Sequence, residues 1–226
     1  MNLLSQIARL LVSVTFIFSG FVKLVDPLGS AYKFEEYFGA DVLNLEFLSP
    51  YALQFSILLI LAEIMLGVML LVGYLPKLTV WSLFAISLLF LFLTWYSAYY
   101  NKVTDCGCFG DAITLTPWET FYKNVILIVI VVFLVVRVHD IQPLRSEVLA
   151  QRISLLSLLV FVGIIIYVLR YLPIIDFRAY AVGKNIPEGM AIPEDAEKPV
   201  YEDTWIYNVD GEDRVYSTEE KPWNIE

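Results

Sequence analysis

The chain has 226 residues, of which 58% are hydrophobic and 17% charged, and its mean hydropathy is +0.68. A soluble domain cannot hide several uninterrupted apolar runs, each near the ~20 residues that cross a bilayer, so the sequence reads as an integral membrane protein. The net charge of −9 sits almost entirely in residues 173–226, which carry 13 acidic and 5 basic side chains, and neither part offers the basic face that nucleic acid or an anionic membrane surface requires.

Apolar runs predict five spans, at 4–25, 52–75, 79–100, 118–138 and 153–172. The first has no small-residue cleavage site at its end and is read as a retained span. It carries Arg9 and Lys23 near its two ends, where long basic side chains snorkel toward the interfaces, and it stops at Asp26-Pro27. The connector 28–48 mixes aromatic residues with charges, which predicts an amphipathic segment lying over the mouth of the bundle. Span two opens with Ser49-Pro50, a cap followed by a proline at the first helical position. Glu63 lies near its middle, where an ionised carboxylate needs a partner. Counting ~1.5 Å per residue on antiparallel helices places Glu63 closer in depth to Arg9 than to Lys23. An Arg9–Glu63 intramembrane pair is therefore expected, either as a packing clamp or as a proton or quinone site. Gly73, Tyr74 and Pro76 make a tight turn, and span three ends in Trp95, Tyr96, Tyr99 and Tyr100, an interfacial aromatic belt.

The next connector, 101–117, contains Asp105-Cys106-Gly107-Cys108-Phe109-Gly110-Asp111 and with it both cysteines of the chain. Core packing would scatter two cysteines; one residue apart between glycines, they read as a redox pair or a metal clip. The single His139 excludes a closed zinc site or a bis-histidine haem built within this chain alone. A Cys-Gly-Cys disulfide closes a very small ring and is expected to be labile and oxidising. Cys106 and Cys108 are thus the candidate catalytic residues, with a local structural crosslink as the alternative. Span four begins at Thr116-Pro117-Trp118-Glu119, a predicted capping box. The positive end of that helix and Lys123 would favour a thiolate, while Asp105 and Asp111 would oppose it, so these three side chains are candidate modulators. After span five, residues 176–199 are rich in proline, glycine and charge, and 200–208 and 213–218 flank Asp210-Gly211, a strong hairpin signal.

Orientation follows from basic residues in short connectors. Lys77, together with Arg137, Arg145 and Arg152, predicts a cytoplasmic N-terminus, with the cysteine connector and the tail on the outer, disulfide-permissive side. The expected architecture is an all-α membrane protein with a four-span core at 1–138, a cytoplasmic connector and fifth span at 139–172, and an acidic extracytoplasmic tail with a small β-hairpin at 173–226.

Ser19-Gly20-x-x-Lys23 in span one, Glu63 followed by Gly67 and Gly73 in span two, and the CGCFGD loop together resemble the DoxX-like superfamily, in particular its MauE-type, redox-associated branch. The resemblance covers about residues 4–138. It implies a four-helix core in a bacterial inner membrane and a role in extracytoplasmic disulfide chemistry or electron transfer beside thioredoxin-like proteins, with Cys106 and Cys108 as the redox pair. The fifth span and the acidic tail depart from that pattern, as in some DoxX-like proteins of Bacteroidetes. The leading expectation is thiol–disulfide exchange with a periplasmic thioredoxin-like or other envelope protein, electrons continuing through a quinone or staying on the outer side. The alternative is a non-enzymatic scaffold subunit of a cell-envelope assembly. A proton-coupled transporter using Glu63 is disfavoured, because no inverted repeat or pair of broken helices is visible.

Overall fold

The computed structural model describes residues 3–40, 42–100, 102, 113, 115–171, 173–177, 183–190, 204–209 and 212–217. Among these, five helices are long and apolar enough to cross a membrane: α1 (Leu3–Val25), α3 (Ala52–Val72, entered through a 3-10 turn over Glu46–Tyr51), α4 (Pro76–Tyr100), α5 (Pro117–Val136) and α6 (Glu147–Arg170). A shorter helix, α2 (Pro27–Phe38), separates α1 from α3. The chain divides into two units, residues 1–184 and 185–226. The second contains a single helical turn, α7 (Ile186–Gly189), and an antiparallel hairpin of β1 (Thr204–Val209) and β2 (Glu212–Ser217), in register from Thr204 opposite Ser217 to Val209 opposite Glu212.

Prolines and polar caps set the helix starts. Asp26 caps α2 by accepting from the Gly29 N–H at 3.1 Å, with Pro27 at the first helical position. Thr116 and Glu119 form the expected capping box at α5: the Glu119 carboxylate accepts from the Thr116 N–H at 2.9 Å. Ser146 caps α6 by accepting from the Leu149 N–H, which starts this helix at Glu147, six residues before the predicted span. Its first turns carry Glu147, Gln151 and Arg152, so hydropathy alone does not see them. Ser49 and Pro50 do not cap α3 as expected; they lie inside the 3-10 turn, and α3 starts without a side-chain cap.

The first unit is an antiparallel bundle with two ends. At the base lie the N-terminus, the α3–α4 turn and the α5–α6 connector; at the head lie the end of α1, α2, and the ends of α4 and α6. One apolar cluster holds the base half together, with Val12, Phe16, Leu70, Leu83, Val131 and Leu134 at its centre. A second, of Leu24, Ile60, Ile64 and Ile165, brings α6 onto α1 and α3 in the head half. Large apolar side chains such as Leu58, Val129, Leu155 and Leu159 point outward, the distribution expected where lipid is the solvent.

The α1–α3 contact is close, and glycine permits it. A Cβ on Gly20 would lie 2.8 Å from Ile64 Cβ and 2.9 Å from its backbone nitrogen; one on Gly67 would lie 2.9 Å from Ile17 N and 3.0 Å from Ser13 O. Gly73 ends α3 in the left-handed region at φ 74°, donating to Leu70 O, and no Cβ would fit against Gln142 O. At the head, α2 is the predicted amphipathic segment: Ala31, Tyr37 and Phe38 are buried while Tyr32, Glu35 and Glu36 face out. Ser56 donates to Pro27 O at 2.9 Å and Tyr37 OH meets Ser97 Oγ at 3.1 Å, so α2 is tied to both α3 and α4.

Candidate functional site

Ser19 and Lys23 are one helical turn apart on α1, on the face that Gly20 allows to press against α3. That approach brings them to Glu63. Lys23 Nζ donates to both Glu63 carboxylate oxygens at 2.9 Å and to Ser19 Oγ at 2.9 Å, and Ser19 Oγ donates to Glu63 Oε2 at 3.1 Å. The Lys23 side chain is 6% exposed and that of Glu63 0%. Phe90 of α4 adds a π-face, its ring centroid 5.5 Å from Lys23 Nζ. Burying two opposite charges is tolerable because each carboxylate oxygen has a donor and the ammonium is held by Ser19, by Glu63 and by a π-face.

The partner of Glu63 is thus Lys23, not Arg9 as expected, and Lys23 does not snorkel. The physical reason is register. Gly20 against Ile64 and Gly67 against Ile17 set Glu63 about level with Phe21, and Arg9 lies about twelve residues, ~18 Å, further along α1. Counting depth from the predicted span ends assumes that both helices begin in one plane. Instead, α3 extends beyond the end of α1 by about two turns, and α2 packs against that extension.

Arg9 has a different task. Its Nε donates to Leu70 O at 2.8 Å, one terminal nitrogen to Leu71 O at 2.8 Å and the other to Gln142 O at 3.0 Å. The guanidinium caps the carbonyl end of α3, where a cation is favoured, and fastens the α5–α6 connector to it. Leu144 N adds a bond to Val72 O at 3.0 Å.

On the far side of Ser19 the head contains a second polar element. Lys123, half-buried on α5, lies next to Asn124, whose amide nitrogen donates to Thr94 Oγ1 of α4 at 3.2 Å. Both residues border the space beside Ser19. Sequence reasoning singled out Lys123 and noted Ser19-Gly20-x-x-Lys23 only as part of a family resemblance; it missed Ser19 and Lys23 as partners of Glu63, and Asn124 and Thr94 altogether. Two signals could have found them: Ser19 sits i,i+4 from Lys23 beside a glycine, and Asn124 interrupts an otherwise apolar stretch. Of the aromatic residues that close α4, Trp95 stacks on Tyr99 with centroids 5.7 Å apart, and Tyr96 donates to Val42 O at 2.7 Å and so secures the α2–α3 connector.

Cys106, Cys108, Asp105 and Asp111 lie outside the described residues. Their connector leaves α4 at Tyr100 and re-enters α5 at Pro117, both at the head, the end of the bundle that contains the Lys23–Ser19–Glu63 cluster. Compared with known proteins, residues 1–137 match the family described as methylamine utilisation protein MauE. No curated protein and no solved structure matches the chain.

Proposed function

The chain belongs to the MauE family of membrane proteins, associated with redox or electron-transfer systems, and from that membership we propose that it exchanges disulfides with a partner protein at the head of the bundle through Cys106 and Cys108. The observation that carries this reading is positional: the connector with both cysteines of the chain springs from the end of the bundle that carries a buried ion cluster and a cap of amphipathic helix. Lys77, Arg137, Arg145 and Arg152 crowd the opposite end, which favours a cytoplasmic base and an outward head. A thioredoxin-like envelope protein of the bacterial inner membrane's outer side is the partner class that suits such a pair.

The exchange is a two-electron transfer between thiols. A cysteine thiolate of the pair attacks one sulfur of the partner's disulfide, forming a mixed disulfide and expelling a partner thiolate. The second cysteine then attacks the first, forming the Cys106–Cys108 disulfide and releasing the second partner thiolate. Two electrons pass to the partner, and the two protons lost from the pair end on the partner's thiols; a partner dithiol drives the same steps backward. The exchange we propose runs between thiols, with the electrons continuing to a quinone or staying on the outer side. Single substitutions arrest it halfway. Cys106→Ser and Cys108→Ser, expressed in native membranes and separated without reductant, should accumulate a covalent adduct with one dominant protein, released by reductant and absent from the double variant. Adduct formation in neither single variant, with normal function in both, would contradict the proposal.

A further inference from the structure

Where the chain passes from α1 into α2, the head meets the end of α6 across a cavity of about 160 Å³, lined by Asp26, Pro27, Leu28, Val168, Leu169 and Tyr171. That volume is well above the ~10–15 Å³ that a single water needs. Tyr171 and Pro173 line the cavity and also an open groove, whose other walls are Tyr167, Arg170 and Ile174. The two spaces thus share a wall, and each has one charged side chain, Asp26 in the cavity and Arg170 in the groove. Asp26 is held by its capping role: one carboxylate oxygen accepts from the Gly29 N–H at 3.1 Å, and the other has no hydrogen bond among the described residues. The Arg170 guanidinium, exposed on the last turn of α6, makes no ion pair with a described residue. Beside it Tyr167 and Tyr171 stack with ring centroids 4.9 Å apart.

We infer that this cleft binds the headgroup of a phospholipid that carries both a phosphate and a primary ammonium, as phosphatidylethanolamine does. The ends of membrane-crossing helices lie at the membrane–water boundary, where tyrosines are enriched and lipid headgroups are concentrated. The Arg170 guanidinium is a planar fork suited to a phosphate, and Asp26 offers a carboxylate oxygen to an ammonium N–H. A headgroup of net negative charge would set a second anion beside Asp26, and a trimethylammonium has no N–H to donate. The two side chains together therefore select the amine-bearing zwitterion. Leu28, Val168 and Leu169 supply an apolar wall for the adjoining carbon chain. Much of the site comes from α6, which begins beyond residue 137, where the family match ends. A lipid bound here joins the fifth span to the α1–α2 corner. Nothing in this site depends on the cysteine connector or on which way the head faces.

The test uses the full chain, stripped of lipid in mild detergent and titrated with phosphatidylethanolamine, phosphatidylcholine or phosphatidylglycerol of identical acyl chains, with retained lipid counted by native mass spectrometry. The native chain should hold one phosphatidylethanolamine about tenfold or more tighter than either of the others, the difference that one charge-assisted hydrogen bond makes. Asp26→Asn keeps a good helix cap and should erase the preference over phosphatidylcholine. Arg170→Gln, at an exposed position, should weaken retention of phosphatidylethanolamine by about tenfold or more. Free phosphoethanolamine should compete only weakly, because it lacks the carbon chains that the apolar wall receives; competition as strong as the lipid's own would overturn the assignment to a membrane lipid. Equal retention of the three lipids by the native chain, or native retention of phosphatidylethanolamine in both folded variants, would overturn the inference.

Discussion

Removing one member of the buried Lys23–Glu63 pair leaves the other buried without it, which costs about 3–5 kcal/mol. Removing both costs less, because neither charge is then left without the other. Thermal unfolding in a mild detergent should therefore show Lys23→Met and Glu63→Leu each strongly destabilised and the double variant closer to the native chain than either; additive losses would show that the two side chains do not depend on each other. Arg9 calls for a different substitution. Its three hydrogen bonds go to carbonyls on two segments, and a lysine ammonium cannot reproduce that planar fork. Arg9→Lys should cost about 1.5–3 kcal/mol, the range for hydrogen bonds to a charged group, and the loss should appear in the same unfolding measurement. An unchanged midpoint would remove the role assigned to this cap.

Among the elements, α1 and α3 form the frame, and their spacing is set by what glycine leaves out. Gly67→Ala would put a methyl about 3 Å from the backbone of α1, where no rotamer relieves the clash, so a loss of about 1–3 kcal/mol is expected. Gly163 on α6 has nothing within 4 Å of its Cβ position, and Gly163→Ala should be neutral or slightly stabilising. Equal effects at the two sites, read from unfolding midpoints, would mean that close packing does not limit this bundle. The same pair of helices shows what the sequence could and could not reveal. Hydropathy located the five spans, the cap at Thr116 marked a helix start, Asp26-Pro27 marked the end of span one, and Asp210-Gly211 marked a hairpin, because each signal is local. The partner of Glu63 depends on how far α3 extends beyond α1, which is decided by a 3-10 turn and by the docking of α2. No local pattern encodes that offset. Arg9 and Lys23 are both basic residues near the ends of one span, and only the antiparallel register assigns one to a helix terminus and the other to a carboxylate.

At the level of the whole molecule, charge and chemistry are separated along the bundle. Lys77, Arg137, Arg145 and Arg152 gather at the base; the buried ion cluster, the docked α2, the aromatic end of α4 and the two ends of the cysteine connector gather at the head. A family association with redox systems and this arrangement together favour a head that meets an oxidising compartment. The most direct measurement is labelling of Cys106 and Cys108 in intact cells with a membrane-impermeant thiol reagent, with and without a brief prior reduction, resolved by mass shift. The account predicts that an oxidised pair resists the reagent, and that brief reduction makes both cysteines reactive from outside while the cells stay sealed. Labelling only after the membrane is opened, or a pair that is permanently reduced, would contradict it.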